Sequence, residues 1–362
     1  MRTAVTYELA KAATLGGGVF GGGGGGSAEE GLRLASLALE MGQVEIVSLD
    51  EIPAEAVLLT VSAVGAPKSG VKVVASHYIR AVQMLVEAEH LKLGGLIANE
   101  CGGLACVNGW LQSAMLGVPV VDAPCNGRAH PTGVMGSMGL HRLKTYTSVQ
   151  AAVGGDVTKD TYLETFVRGS LEKASSLVRQ ASVQCGGLVA GARIPVTAGY
   201  AAKHAAPGAL GRCISLGRTM LDLRSKGSTS VPQAVAEALG GSLPVTGRIA
   251  LLEIETKHGF DVGRVVIEGE QAIELTFWNE YMCAEMDGRR VATFPDLIGT
   301  LDASDGMPLT TADLERGQDV AVVIVPRARL ILGAGMRDPA LFAAVEQASG
   351  KEVIKYVFGE AR

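Results

Sequence analysis

The chain has 362 residues, enough for two cores, because single cores stop growing near about 250–300 residues. Its 32 basic and 37 acidic residues leave a net charge of −5, with no polybasic run and only 4% aromatic residues, which argues against nucleic acid as a partner. Hydrophobic residues make up 48% of the chain, but no stretch nears the ~18 uninterrupted apolar residues of a membrane span.

The start, MRTAVTYELAKAATLGGG, lacks the features of a secretory signal, so a cytoplasmic location is expected. Six cysteines, at 101, 106, 125, 185, 213 and 283, form no CxxC pair, which fits reduced and mostly buried thiols. The 48 glycines are about twice the usual share of roughly 7% and are clustered, as tight loops require.

In chain order, residues 3–15 predict a short helix and residues 16–26 a glycine loop. Ser27 with Glu30 three residues on matches a capping box and opens a helix to about Met41. QVEIVSL and VLLTVSAV then predict strands, followed by a helix from 76 to 90, the strand GGLIANE, a helix from 108 to 116 and the strand VPVVDAP. This alternation predicts an α/β fold with a largely parallel sheet and flanking helices, whose strand ends near 66, 100 and 125 share one edge. Helical patterns cover 159–180 and 209–224; from Pro244 to Leu332 short strands and turns predict a β-rich second domain, and the tail from Asp338 reads as a helix and a strand. The expected division is therefore 1–165 α/β with 334–362 rejoining it, 166–240 mainly helical, and 241–333 β-rich.

Asp122, Cys125, Asn126, Arg128 and His130 crowd nine residues of a loop beyond a strand, where open α/β sheets bind ligands. Cys125 reads either as a nucleophile activated by Arg128 and His130 or as a small buried hydrophobe. His130 is a candidate acid or base, and Asp122 either orients it or caps the following turn. Glu100, ending the neighbouring strand, would face Asp122 across the cleft, and one of the two carboxyls would have a raised pKa through like-charge proximity. The run through Gly22, Gly23, Gly24 and Gly25 matches a phosphate loop only weakly, with no following GK[ST] and with Glu29 and Glu30 at the helix start; a lid or a close-packed backbone crossing is the alternative. Glu100, Asp122, Cys125, His130, His141, His204 and His258 could supply mixed metal ligands, but none has ligand spacing, so no metal is assigned and the cofactor is unknown. Asn279, Glu280 and Asp296 either face substrate across a domain cleft or serve turns and edge strands. His77 and His90 are expected to be solvated.

These landmarks together resemble the S-methyl thiohydantoin desulfurase domain family, which pairs an N-terminal domain with a β-rich C-terminal one. The resemblance rests on the glycine-rich segment before Ser27, Gly65-Ala66-Pro67, Glu100-Cys101-Gly102-Gly103 with Asn108, Asp122 through Ala129, Gly259-Phe260, Asn279-Glu280 and Pro295 to Ile298. It departs at His130, where the family pattern has a phenylalanine-type residue, and at Leu104-Ala105-Cys106, where it is glycine-rich. The departures imply a subfamily with another substrate. The resemblance implies a hydrolase of a small cyclic amide or thioamide, a thiohydantoin or hydantoin-like ring, releasing sulfide or a thiol. In that reading Cys125, or water activated by Asp122 or Glu100, attacks, Arg128 stabilises charge and His130 moves protons, while Asn108, Gly102, Gly103, Asn126, Asn279, Glu280 and Asp296 bind substrate. The alternative is a non-catalytic or ATP-binding companion subunit of a hydantoinase- or oxoprolinase-like complex. A homo-oligomer is expected in either case.

Overall fold

Thr6 opens the first long helix by accepting the Leu9 N–H at 3.2 Å, and Ser27 opens the second by accepting that of Glu30 at 3.2 Å. The computed structural model describes residues 2–69, 71–226 and 231–359. Its first sheet comprises β1 (Arg2–Ala4), β2 (Glu45–Val47), β3 (Val57–Gly65), β4 (Leu93–Ala98), β5 (Val120–Val121), β6 (Ser148–Gly154), β7 (Leu163–Gly169) and β8 (Leu188–Thr197). Their order is β1-β2-β5-β4-β3-β8-β6-β7. Strands β2, β5, β4 and β3 are parallel, and the others join antiparallel, so the sheet is mixed.

The parallel strands are buried on both faces, as their continuous apolar runs require. Leu59, Leu96 and Val120 enter one core with Leu34 of α2 (Ala28–Met41), Leu85 of α3 (Ala75–Glu89) and Trp110 of α4 (Trp110–Leu116); Leu9 of α1 (Tyr7–Phe20) also joins it. Leu58, Ile97 and Val121 enter the opposite core with Leu171 of α5 (Leu171–Gln184) and Ala201 of α6 (Ala198–His204). The second sheet, wholly antiparallel, comprises β9 (Val245–Lys257), β10 (Phe260–Gly269), β11 (Ile273–Trp278), β12 (Glu280–Met286), β13 (Arg289–Thr293), β14 (Leu297–Asp302), β15 (Pro308–Leu309) and β16 (Asp319–Val325), in the order β13-β12-β11-β10-β9-β16-β14-β15. Helices α1, α7 (Ala209–Ser225) and α8 (Val231–Leu239) lie between the sheets, where Leu15, Phe20, Met220 and Val235 share a core with Leu297 and Val323. The architecture is the expected one, an α/β domain followed by a β-rich one. Among the described residues no helix is long and apolar enough to cross a membrane.

Three segments differ from the sequence reading. The first helix runs on through Gly16, Gly17 and Gly18 to Phe20, so the glycine loop begins only at Gly21. Close packing decides this: a Cβ at Gly16 would overlap the Cys213 carbonyl, and one at Gly217 the Ala12 carbonyl, so α1 and α7 touch through their backbones. Residues 163–169 form the edge strand β7 instead of continuing a helix, with side chains alternating between half-buried and exposed. Among the described residues the tail carries two short helices and no strand, α9 (Ala343–Ser349) and α10 (Ile354–Phe358), and it packs on the second sheet through Phe342, Val345 and Val353 against Trp278, Met282 and Phe294. His77 is buried, its ring 5.8 Å from that of Tyr162, and not solvated.

Gly217→Ala is expected to destabilise the protein by about 1–3 kcal/mol or more, because the methyl meets backbone that cannot rotate away. Urea unfolding measures this, and an unchanged midpoint would contradict the direct α1–α7 contact.

Candidate active site

A cleft of about 610 Å³ opens between the two domains, a volume suited to a small molecule. The first sheet contributes Gly65 at the end of β3, Asn99 and Glu100 after β4, and residues 130–134 after β5. These are carboxyl ends of parallel strands, where such sheets bind ligands. Phe260, Trp278, Asn279 and Glu280 form the facing wall, and Gln150, Arg179 and Arg193 close the antiparallel side.

Glu100 is the centre of the inner wall. Its Oε2 accepts the His130 backbone N–H at 3.3 Å and the Asn99 side-chain amide at 3.3 Å. Burial, partly opposed by that N–H and by Arg193, Arg179 and Arg128, lifts the carboxyl to about 7. Desolvation therefore does what the sequence reading attributed to Asp122. Burial, followed by the charge of Glu100, also raises the Glu280 carboxyl well above its usual range, and its Oε2 has no partner. One cleft thus holds two buried carboxyls, one that ionises near neutrality and a second whose burial and neighbouring Glu100 favour its protonated form.

The His130 ring is buried beside Arg193, and desolvation first, then that charge, push it down to about 3. It is neutral at physiological pH. Its Nε2 lies 3.4 Å from Asn99 Nδ2 and 3.5 Å from Glu100 Oε2, so the Glu100 contact is not an ion pair. The expected proton-carrying role of His130 does not fit a ring that stays neutral.

Three buried guanidinium groups hold the cleft's shape. Arg179 donates to the carbonyls of Gly65 at 3.0 Å, Gly259 at 2.9 Å and Pro131 at 3.3 Å and lies 4.1 Å over Phe260, tying the domains together. Arg193 donates to Gly133 O at 2.9 Å and to Asn99 Oδ1. Arg128 donates to the carbonyls of Ala129, Pro295 and Asp296 and lies 4.6 Å over Phe294, beneath the cleft and not in its wall. Burial lowers Arg128 and Arg179 to about 10, so both remain charged at neutral pH.

Several expected site residues serve the fold instead. Cys125 is entombed in the core with Ala123 and Met138, its Sγ 3.3 Å from Thr60 Oγ1, and burial lifts the thiol to about 11. It is absent from the cleft wall and is not a thiolate at neutral pH. Asp122 accepts the N–H groups of Leu210 at 2.8 Å and Gly211 at 2.9 Å, satisfying the exposed donors at the start of α7. Asn126 Oδ1 accepts the Gly333 N–H at 3.2 Å. Asp296 accepts those of Thr293 at 3.2 Å and Arg327 at 2.8 Å, fixing the turn between β13 and β14. Gly102 and Gly103 pack against the backbone of residues 25–28, so neither faces the cleft.

The glycine loop is a pinned crossing and not a lid. Gly22 O accepts the Tyr281 N–H at 2.8 Å, Gly23 O that of Thr311 at 2.8 Å, and Gly25 O that of Ala105 at 2.9 Å. A Cβ at Gly24 would overlap the Glu280 carboxyl, so the loop seats that acid. Gly25, Asn108 and Asn279 do reach the cleft, and Asn108 Oδ1 is buried without a partner. The Asn279 amide is engaged, accepting the Asp261 N–H at 2.9 Å. Of the metal-ligand candidates, His141 binds Asp338 at 2.6 Å and His204 stacks on Tyr200 at 4.2 Å; no group of three or more His, Cys, Asp or Glu among the described residues is placed to hold a metal ion.

A family model described as "S-Me-THD-like, N-terminal domain" matches residues 10–159, and one described as "S-Me-THD-like, C-terminal domain" matches residues 170–334. The chain belongs to the S-Me-THD-like family. A crystal structure of a Chromobacterium violaceum protein is similar to this S-Me-THD-like chain, with 20% identity and a TM-score of 0.68 over 95% of this chain and 97% of that one. At that identity the likeness concerns the fold. No curated protein matches the chain.

Asn99, Arg179, Arg193 and Phe260 are cleft-lining residues of this S-Me-THD-like chain that the motifs passed over or used only as landmarks. Arg193 carried a signal, being the lone charge in the apolar strand LVAGARIPV. Arg179, among many polar residues of α5, carried none. Cys125→Ala is expected to leave activity per folded molecule unchanged while lowering stability by about 1–2 kcal/mol for the lost packing. Turnover normalised to folded protein, alongside a melting curve, checks both halves.

Proposed function

We propose that the protein hydrolyses a small five-membered cyclic amide or thioamide in the interdomain cleft, with S-methyl thiohydantoin-like rings as the substrate class. The observation that carries this reading is a pair of buried carboxyl groups lining one cleft, Glu100 lifted to about 7 and Glu280 raised well above its usual range. Two acids in different environments divide the roles of base and acid. Glu100 takes a proton from water as its oxygen bonds to the ring carbon that carries sulfur. The carbon–sulfur bond then breaks and the departing thiolate takes the proton of Glu280, while the added hydroxyl passes its proton to the ring nitrogen; this leaves a ring carbonyl and a free thiol, and Glu100 and Glu280 exchange protons with solvent before the next turnover. Asn108 Oδ1 accepts a ring N–H, and the buried Arg193 and Arg179 charges favour the anion that develops at the attacked carbon.

The test uses purified protein alone, with an S-methyl thiohydantoin, and follows ring absorbance and thiol release between pH 6 and 9. Turnover that rises through pH of about 7 as Glu100 ionises supports the reading. No thiol across that range would overturn it, and activity only after addition of ATP or a partner subunit would favour the companion-subunit alternative.

A further inference from the structure

Arg193 offers only hydrogen-bond donors, so the Asn99 atom that faces it must be the amide oxygen, as the Arg193 Nη2 to Asn99 Oδ1 bond has it. That contact fixes the amide. Its nitrogen, which only donates, then points to Glu100 Oε2 at 3.3 Å and to His130 Nε2 at 3.4 Å. A donor facing Nε2 makes that ring nitrogen an acceptor. In a neutral imidazole the proton must then sit on the other nitrogen, Nδ1. Nδ1 is buried and has no partner in the protein, and the ring that carries it lines the cleft. Burying a donor without a partner is costly, which marks Nδ1 as a place where a ligand completes the site.

We propose that His130, in the cleft lining, is a fixed hydrogen-bond donor whose proton is placed on Nδ1 by the Arg193–Asn99 relay, and that this unpartnered Nδ1–H binds the carbonyl oxygen or thiocarbonyl sulfur of the ring substrate. This rests on the ring-hydrolysis reading and adds to it a requirement on the substrate: an acceptor for His130 beside a donor for Asn108 Oδ1. A cyclic amide edge offers both, and an alkylated ring nitrogen removes the second. His130 then stabilises charge as it builds on the ring heteroatom, in the manner of a neutral imidazole electrophile. Asn99 and Arg193 are positioning residues. They touch no substrate in this scheme and act by deciding which ring nitrogen carries the proton.

The tautomer is measurable in the free protein, so this inference stands or falls separately from turnover. Long-range proton–nitrogen correlation spectra of protein carrying nitrogen-15 histidine show the six imidazoles, and His130→Gln assigns the relevant one by its disappearance. The expected result is a neutral His130 ring protonated on Nδ1 across pH 5–8. Asn99→Asp, which replaces the donor by an acceptor, is expected to move the proton to Nε2, whereas Asn99→Ser should leave a mixture. Added hydantoin should move the Nδ1 proton resonance downfield, and His130→Phe should lower kcat by about 10²–10³-fold, the size expected for one lost donor to developing charge. A wild-type ring protonated on Nε2 would overturn the proposal, as would hydantoin binding that leaves the Nδ1 proton unmoved.

Discussion

Glu100→Gln is expected to lower turnover of an S-methyl thiohydantoin by about 10²–10⁴-fold, the usual worth of a positioned general base, while changing ring affinity only a fewfold. The amide keeps the carboxyl's shape and still accepts the His130 N–H and the Asn99 amide, so the cleft should stay intact. It cannot take a proton from water. The same change is expected to stabilise the protein above neutrality. Burial holds the folded-state Glu100 proton more tightly than the unfolded chain does, so the folded state loses stability as pH rises from the ordinary 4.5 through about 7. In Glu100→Gln that decline is absent, and the variant should exceed wild type at pH 8.5 by on the order of 1–3 kcal/mol and match it near pH 4. Steady-state kinetics with urea unfolding at the two pH values measures both effects. Equal pH dependence of stability in the two proteins would mean that the carboxyl is not desolvated as described.

Gly136→Ala should damage the site through shape alone. A Cβ there would lie 2.7 Å from Arg193 Nη2 and 2.7 Å from His130 Cε1, and closer still to Asn99 Oδ1, so one methyl pushes on all three members of the relay. These groups are themselves buried and cannot retreat into solvent. The expected cost is about 1–3 kcal/mol of stability from overpacking. Misplacing a catalytic group by about 1 Å costs about 10²-fold in rate, so kcat should fall by that order in a variant that still folds. A fully active Gly136→Ala would show that the relay is looser than its packing.

The fold was legible where local pattern and tertiary environment agree. The runs VLLTVSAV and GGLIANE are apolar on both faces because helices cover both sides of the parallel strands, and their short length and flanking glycines place them as strands. It failed where packing overrides propensity. Glycines 16–18 argue against a helix by about 1 kcal/mol each, yet close neighbours need them: α7 approaches at Gly16, Gly102 at Gly17 and Pro308 at Gly18. Residues 163–169 belong to an edge strand, half-buried and polar on one face, which leaves a pattern a helix can mimic.

The site was legible as a neighbourhood and misread in its details. Ends of strands at Gly65 and Glu100 do meet in one cleft, and Asn279 and Glu280 do reach across from the second domain. Within the loop after β5 the sequence offers five polar residues at similar spacing, with nothing to tell cleft from core. Only His130 reaches the cleft wall; Cys125 is held in the opposite core by Ala123 and Met138, and Asp122 caps α7, a helix that begins almost ninety positions later. Such long-range partners leave no local trace. The same holds for Arg193 and Asn99, brought together by the pairing of β3 with both β4 and β8.

The most direct test of carboxyl chemistry in the interdomain cleft is a crystal structure of Glu100→Gln soaked with an S-methyl thiohydantoin. The ring should lie between residues 100 and 280, its heteroatoms within hydrogen-bond reach of His130 Nδ1 and Asn108 Oδ1, with the carbon–sulfur bond unbroken. A ring bound outside the cleft, or joined covalently to Cys125, would contradict the account.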